Sequence, residues 1–272
     1  MRIILQFLFC IILVTSAYAD NKKTIVITLA TSGIGQSVAE ELAKQNYDLI
    51  LLGRNSQKLN DLKNHLGKNY KGNYQNIQID FGNSESVNNA LKQINKKIDG
   101  IVLMPPRSVI SSYYIPNSNE WDYMFKISFS NPFEVIRQLE ESLKPGAKIV
   151  LMSGMTSVQY NSSYPNSNIL RSMWVAQGKN LSFQLARKNV SVNTISPGVT
   201  LTETNKSKVE ARAKEKKISY DQQLKNETKA IPSGRYSTPQ EIAKIITFLL
   251  SDDSNQINGQ NLVIDGGFTT SY

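Results

Sequence analysis

Short apolar runs alternate with amphipathic stretches along this chain. Residues 24–28 read Thr-Ile-Val-Ile-Thr and are β-branched throughout, which suits a strand buried on both faces. A polar turn (Ala30, Thr31, Ser32) and the pair Gly33 and Gly35 follow. Apolar residues then fall at 38, 39, 42 and 43, the spacing of one helical face. Similar apolar runs predict strands at residues 48–52, 76–80, 99–104, 148–152 and 262–264, and another ending at Pro197. Helical patterns separate them. One covers residues 55–66, one starts near Ser84 as its cap, and a long one opens at Trp121. The last is capped by Thr238, with Pro239 in its first turn. Strands alternating with helices specify an α/β fold. The expectation is a single doubly wound parallel sheet of about seven strands with helices on both faces. Ligands of such a sheet meet at the C-terminal strand edges.

A strand, a glycine turn and a helix also form the usual phosphate site of an α/β sheet. The glycines admit a pyrophosphate to the backbone, and the helix N-terminus supplies N–H groups and a partial positive charge. Ser32, Gly33, Ile34 and Gly35 are the candidate residues, with an ordinary turn as the alternative. The second strand runs into Gly53, Arg54 and Asn55. An acid here would take the ribose hydroxyls of NAD, whereas a nearby arginine suits the extra phosphate of NADP. Arg54 without an acid therefore favours NADP(H) over NAD(H).

The length of 272 residues is ample for one large α/β domain and short for two. A composition of 40% hydrophobic and 19% charged residues argues against global disorder. Residues 1–19 differ from the rest: a basic start, an apolar run from Ile3 to Val14, and Ala17-Tyr18-Ala19 before Asp20. This reads as a secretory signal peptide or as an uncleaved membrane anchor. The domain at residues 20–272 would then be exported, periplasmic or secreted, or membrane-anchored, with a cytoplasm-facing domain still compatible. Cys10, in that leader, is the sole cysteine, and His65 the sole histidine. A thiol nucleophile, a histidine triad and a zinc site are therefore not expected.

Residues 28–35, with Asp80 after a strand, Pro197-Gly198 after another, and the C-terminal run from Gly259 to Gly267, stand in a particular order. This resembles the short-chain dehydrogenase/reductase family, with its Thr-Gly-x-x-x-Gly-x-Gly signature, over about residues 22–270. The resemblance implies a dinucleotide cofactor held by Thr28, Ser32, Gly33, Ile34, Gly35, Arg54, Asp80, Phe81, Arg171, Pro197, Gly198 and Thr200. Asp80 would meet the adenine amino group and Thr200 the nicotinamide amide. It also implies a homodimer or homotetramer. No nucleic-acid partner and no metal are expected.

The middle of the chain departs from that family. Leu29 replaces its first glycine, which removes the freedom to take φ > 0, and Pro105-Pro106 follows the fourth strand. Ungapped reading back from Val192-Asn193 puts Ser167 and Arg171 at the family's catalytic Tyr and Lys, while Ser128 in the helix from Trp121 and Gly154 after the fifth strand stand at its Asn and Ser. Ser153 is one residue early for the serine and is a candidate stand-in. Tyr164 stands seven residues before Arg171, about two helical turns. This resembles the Tyr-x6-Lys spacing of the enoyl reductase branch. The leading expectation is an NADP(H)-dependent oxidoreductase with Tyr164 as proton donor and Arg171 beside it, acting on a carbonyl or enoyl group of a small molecule or acyl thioester. The competing expectation is a cofactor-binding or scaffold protein that kept the fold and lost the reaction. Residues 206–217 hold six basic side chains against Glu210 and Glu215. An anionic substrate, an acidic carrier protein or a membrane surface would be attracted there, and a solvated helix is the plainer alternative.

Overall fold

The structure, a computed structural model, describes residues 22–106, 115–162 and 165–271. The expected leader at residues 1–19, with Cys10, lies outside the described residues, and so does Tyr164.

Seven strands form one sheet: β1 (Thr24–Ile27), β2 (Asp48–Gly53), β3 (Tyr74–Gln78), β4 (Ile98–Leu103), β5 (Leu143–Met152), β6 (Ser191–Pro197) and β7 (Asn261–Ile264). Their order is β3-β2-β1-β4-β5-β6-β7 and every pairing is parallel. Chain order reverses direction between β1 and β4, so a crevice opens at their C-terminal ends. The connecting helices are α1 (Gly33–Lys44), α2 (Ser56–Asn69), α3 (Ser84–Leu91), α4 (Ser118–Phe125), α5 (Asn131–Leu139), α6 (Pro165–Ala186), α7 (Glu203–Glu215), α8 (Tyr220–Thr228) and α9 (Pro239–Leu250).

Strand side chains alternate between the two faces, so each face has its own core. Val26, Ile50, Ile101 and Leu151 pack with Val87 of α3, Val135 of α5 and Trp174 of α6. Ile25, Leu49, Val102 and Ile195 pack with Val38 of α1, Leu59 of α2 and Ile246 of α9. Buried on both sides, the strands show the continuous apolar runs seen in the sequence.

Three local expectations are corrected. Asn83, not Ser84, caps α3, its side chain accepting the N–H groups of Glu85 and Ser86. The Ser84 hydroxyl donates instead to Asn131 Oδ1, 3.1 Å away. The long helix opening near Trp121 is not uniform. A π turn (Lys126–Ser130) separates α4 from α5, with Asn131 N–H donating to Lys126 O. Leu29 adopts the left-handed conformation that a glycine would favour, with φ 48°.

The basic segment forms most of α7, and much of its charge is matched locally. Arg212 makes a two-pronged ion pair with Glu227 of α8, both bonds 2.7 Å. Lys206 pairs with Glu203 and Lys214 with Glu210. Half of the six basic side chains thus have acidic neighbours, and less charge faces outward than the sequence suggests.

Thr238 caps α9 in a capping box with Glu241, as expected for the cap. The Arg235 guanidinium, and next the Thr238 backbone N–H, hold the Glu241 carboxyl at about 2. Because the folded value lies below the unfolded one, about 4.3, this contribution is complete above pH 4.3 and fades as pH falls towards 2. Glu241 is half-exposed, which limits its worth. Glu241→Gln is expected to cost about 0.5–1 kcal/mol at pH 7. Urea unfolding at pH 7 and at descending pH checks this: the gap from wild type should narrow through pH 4 to 2, and a constant gap would contradict it.

Candidate active site

The turn after β1 is built by backbone packing on backbone. Ser32 N–H donates to Leu29 O at 2.9 Å. Ser32 Oγ caps α1, accepting Gly35 N–H at 3.1 Å. A Cβ at Gly35 would overlap the Leu29 carbonyl oxygen, and one at Gly33 would come within 2.9 Å of Thr202 Cγ2. The first turn of α1 carries no acid. Its N–H groups and open backbone could hold a pyrophosphate.

The other predicted cofactor residues gather on the same sheet edge. Arg54 is exposed just past β2. Asp80 is half-buried, its Oδ1 accepting Gly82 N–H at 2.9 Å. Phe81 is buried, and its carbonyl accepts from Asn131 Nδ2. Ile34 packs its side chain against the core that α1 covers. Pro197 ends β6, and Gly198 lies so close to β7 that a Cβ there would come within 2.9 Å of Asp265 Cβ. Thr200 is 4% exposed, and its Oγ1 has no hydrogen-bond partner among the described residues. That orphaned hydroxyl fits a ligand amide. Thr28 plays a different part from the contact expected. It is fully buried, its hydroxyl donating to Met104 O at 3.0 Å and accepting Met104 N–H at 2.7 Å. It clips β1 to the chain leaving β4.

A small, solvent-open pocket lies beyond the end of β4, beside α6. Pro105, Pro106, Leu170 and Trp174 form its apolar wall, and Ser128, Ser167 and Arg171 supply its polar groups. Three of the four positions that aligned with the family's catalytic set thus meet in one pocket. The fourth, Gly154, lies against Arg171: a Cβ built there would sit 3.7 Å from Arg171 Nε. Arg171 is braced by the end of β5, its Nη1 donating to Ser153 O at 2.6 Å and Met152 O at 3.2 Å. Ser153 does not point its hydroxyl at the pocket's contents. It is 3% exposed and donates to the Arg171 carbonyl at 2.8 Å.

Two contributors escaped the sequence reading. Trp174 lines the pocket and donates its indole N–H to Ser128 O at 2.7 Å. The spacing of Ser167, Arg171 and Trp174 at i, i+4 and i+7 would have placed all three on one helical face. Thr202, the cap of α7, covers Gly33. No sequence signal links those two.

The two glycines differ in what they tolerate. Gly154 has extended backbone, φ 171° and ψ 160°, and only ordinary contacts around an added Cβ. Gly154→Ser is expected to fold with a melting temperature within about 2 °C of wild type. Gly35→Ala should lower it by at least about 5 °C, because fixed backbone blocks the methyl group. Differential scanning calorimetry of both variants checks this pair, and equal losses would contradict it.

Comparison with known proteins agrees with this architecture. A family model described as Enoyl-(Acyl carrier protein) reductase matches residues 29–269. The 3-oxoacyl-[acyl-carrier-protein] reductase FabG of Aquifex aeolicus (strain VF5) is 26% identical over 250 residues, covering 90% of this chain and 96% of its own. The NAD-dependent glycerol dehydrogenase of Listeria innocua is 28% identical over 258 residues, covering 91% of this chain and 94% of its own. Among solved structures, L-sorbose reductase from Gluconobacter frateurii, complexed with NADPH and L-sorbose, superimposes with a TM-score of 0.87. Its identity is 21%, over 92% of this chain and 98% of that one. The family match takes in nearly all of the described fold, from the turn after β1 to the segment beyond β7, and shows that this chain belongs to the short-chain dehydrogenase/reductase family of oxidoreductases.

Proposed function

We propose that this protein is an NADP(H)-dependent oxidoreductase that transfers a hydride to or from a carbonyl or enoyl group. The observation that carries the reading is the meeting of Ser128, Ser167 and Arg171 in one pocket, on the same sheet edge as the glycine turn. The L-sorbose reductase of the same fold was solved with NADPH, and the FabG relative is named for a 3-oxoacyl thioester. A small carbonyl compound or an acyl thioester is accordingly the substrate class.

Bound NADPH would supply the hydride. The N–H groups at the start of α1 would take the pyrophosphate, and Arg54 the 2′-phosphate. Thr200 would offer its orphaned hydroxyl to the nicotinamide amide. Arg171, charged at any working pH and fixed by two carbonyls, would bind a ribose hydroxyl and favour a nearby phenolate. Tyr164 directly precedes the first residue of α6 and stands seven residues from Arg171. It would donate the proton to the developing oxyanion. Ser167 is no substitute, because an alcohol is a far weaker acid than a phenol of pKa about 10.

Two variants test this reading. Tyr164→Phe should cut turnover on the order of 10²–10⁴-fold, the range for a positioned proton donor, with NADPH affinity nearly intact. Arg54→Ala should weaken NADPH binding about 10- to 100-fold and leave NADH binding unchanged. Fluorescence titration and spectrophotometric assay read both. Full activity in Tyr164→Phe, or equal wild-type affinity for the two cofactors, would contradict the reading.

A further inference from the structure

We infer that the Ser128 hydroxyl is a substrate-binding group that meets an acceptor oxygen, a carbonyl or carboxylate oxygen, brought into the pocket. This rests on the oxidoreductase reading above and names the group that orients its substrate. Ser128 lies in the π turn and is 3% exposed. Its Oγ is buried and has no hydrogen-bond partner among the described residues. Folded proteins rarely leave such a group unmet, and each exception asks for a cause.

Many other buried hydroxyls in this fold are matched, although Thr200, Thr247 and Thr269 also lack partners among the described residues. Thr28 bonds Met104, Ser153 bonds the Arg171 carbonyl, and Ser196 donates to Asn261 Oδ1 at 2.7 Å. A serine within a helix usually turns its hydroxyl back to the carbonyl four residues earlier. Ser37 does so towards Gly33 O at 3.1 Å. Ser128 does not, although Met124 O stands at that separation.

The backbone at Ser128 has no such latitude, because Trp174 Nε1 donates to its carbonyl at 2.7 Å. Phe133 packs on the Trp174 ring at 4.7 Å between centroids and helps hold it. The indole thus pins the π turn, and Ser128 is the polar residue that this turn contributes to the pocket lining. Its neighbours there define what it meets. Arg171 only donates hydrogen bonds, and no carboxylate or imidazole lines the pocket among the described residues. Pro105, Pro106, Leu170 and Trp174 complete a low-dielectric wall that strengthens polar contacts. A donor-rich pocket with apolar walls selects an oxygen that accepts.

The test uses the full chain, as wild type, Ser128→Ala and the near-isosteric Ser128→Cys. Ser128→Ala should melt at or above the wild-type temperature without ligand, because it removes an unmatched buried hydroxyl. Its NADPH affinity should be unchanged. Its KM for acetoacetyl-coenzyme A and for ethyl acetoacetate should rise about 10-fold, with a smaller effect on kcat. Ser128→Cys, a weaker donor, should fall between. In wild-type crystals soaked with acetoacetate, an oxygen of the probe should lie within hydrogen-bond distance of Ser128 Oγ. Which oxygen it is separates carbonyl from carboxylate recognition. A lower melting temperature in Ser128→Ala with unchanged KM would overturn the inference. So would soaked crystals in which Ser128 Oγ bonds Met124 O and no probe oxygen. A wild type that oxidises no NADPH with any probe defeats the oxidoreductase reading alone, and the melting and crystallographic outcomes then still decide the role of Ser128.

Discussion

The absence of room for a side chain at Gly35 governs how the site is assembled. The Leu29 carbonyl packs where a Cβ would stand, which sets the start of α1 directly against the end of β1. At that approach Leu29 takes φ 48°, a conformation that costs a non-glycine residue about 1–2 kcal/mol. Its side chain offsets the cost by packing against both hydrophobic cores. A glycine would avoid the strain and forfeit the packing. Beside it, Thr28 ties β1 to Met104 through two hydrogen bonds. The helix N-terminus, the crevice between β1 and β4, and the proline wall of the pocket are therefore one mechanically joined unit.

At the other side of the crevice, a missing side chain and an enlarged one fit together. Gly154 leaves space beside the Arg171 side chain. Both protons of Arg171 Nη1 are directed to the carbonyls of Met152 and Ser153. The Ser153 hydroxyl in turn holds the Arg171 backbone. Strand end and helix thus grip each other in both directions. A lysine would be a compact point charge on a flexible stem, whereas this guanidinium is a planar fork anchored at one corner. The chemistry that such a fixed cation favours is negative charge developing on a nearby oxygen.

Much of the fold was legible in the sequence because burial on both faces gives each strand an uninterrupted apolar run, and helix caps are local. Thr238 and Glu241 form their box from residues three apart, and the sequence reading placed that cap correctly. Ser84 was misplaced because two neighbouring polar side chains compete for one cap. Asn83 reaches two N–H groups, and Ser84 is drawn away by Asn131, 47 residues on. The π turn was not legible, since Trp174 and Ser128 meet only across the fold. The strained Leu29 was read as an obstacle to positive φ, whereas tertiary packing imposes that conformation. The basic run in α7 was legible as charge, but its partner Glu227 lies 15 residues from Arg212 on another helix. At the site, the sequence located Ser128, Ser167 and Arg171 at equivalent positions, and the fold brings them to one pocket. The orientation of Ser153 away from it depends on the α6 carbonyl and has no local signature.

The central claim is that this braced edge works as the hydride-transfer site of an oxidoreductase. The most direct measurement is oxidation of NADPH by the purified wild-type protein, followed at the nicotinamide absorbance across paired ketone and enoyl thioester substrates after NADPH binding has been established by fluorescence. Protein-dependent oxidation with at least one substrate of either kind is the predicted result. Tight NADPH binding without oxidation across the whole set would contradict the account.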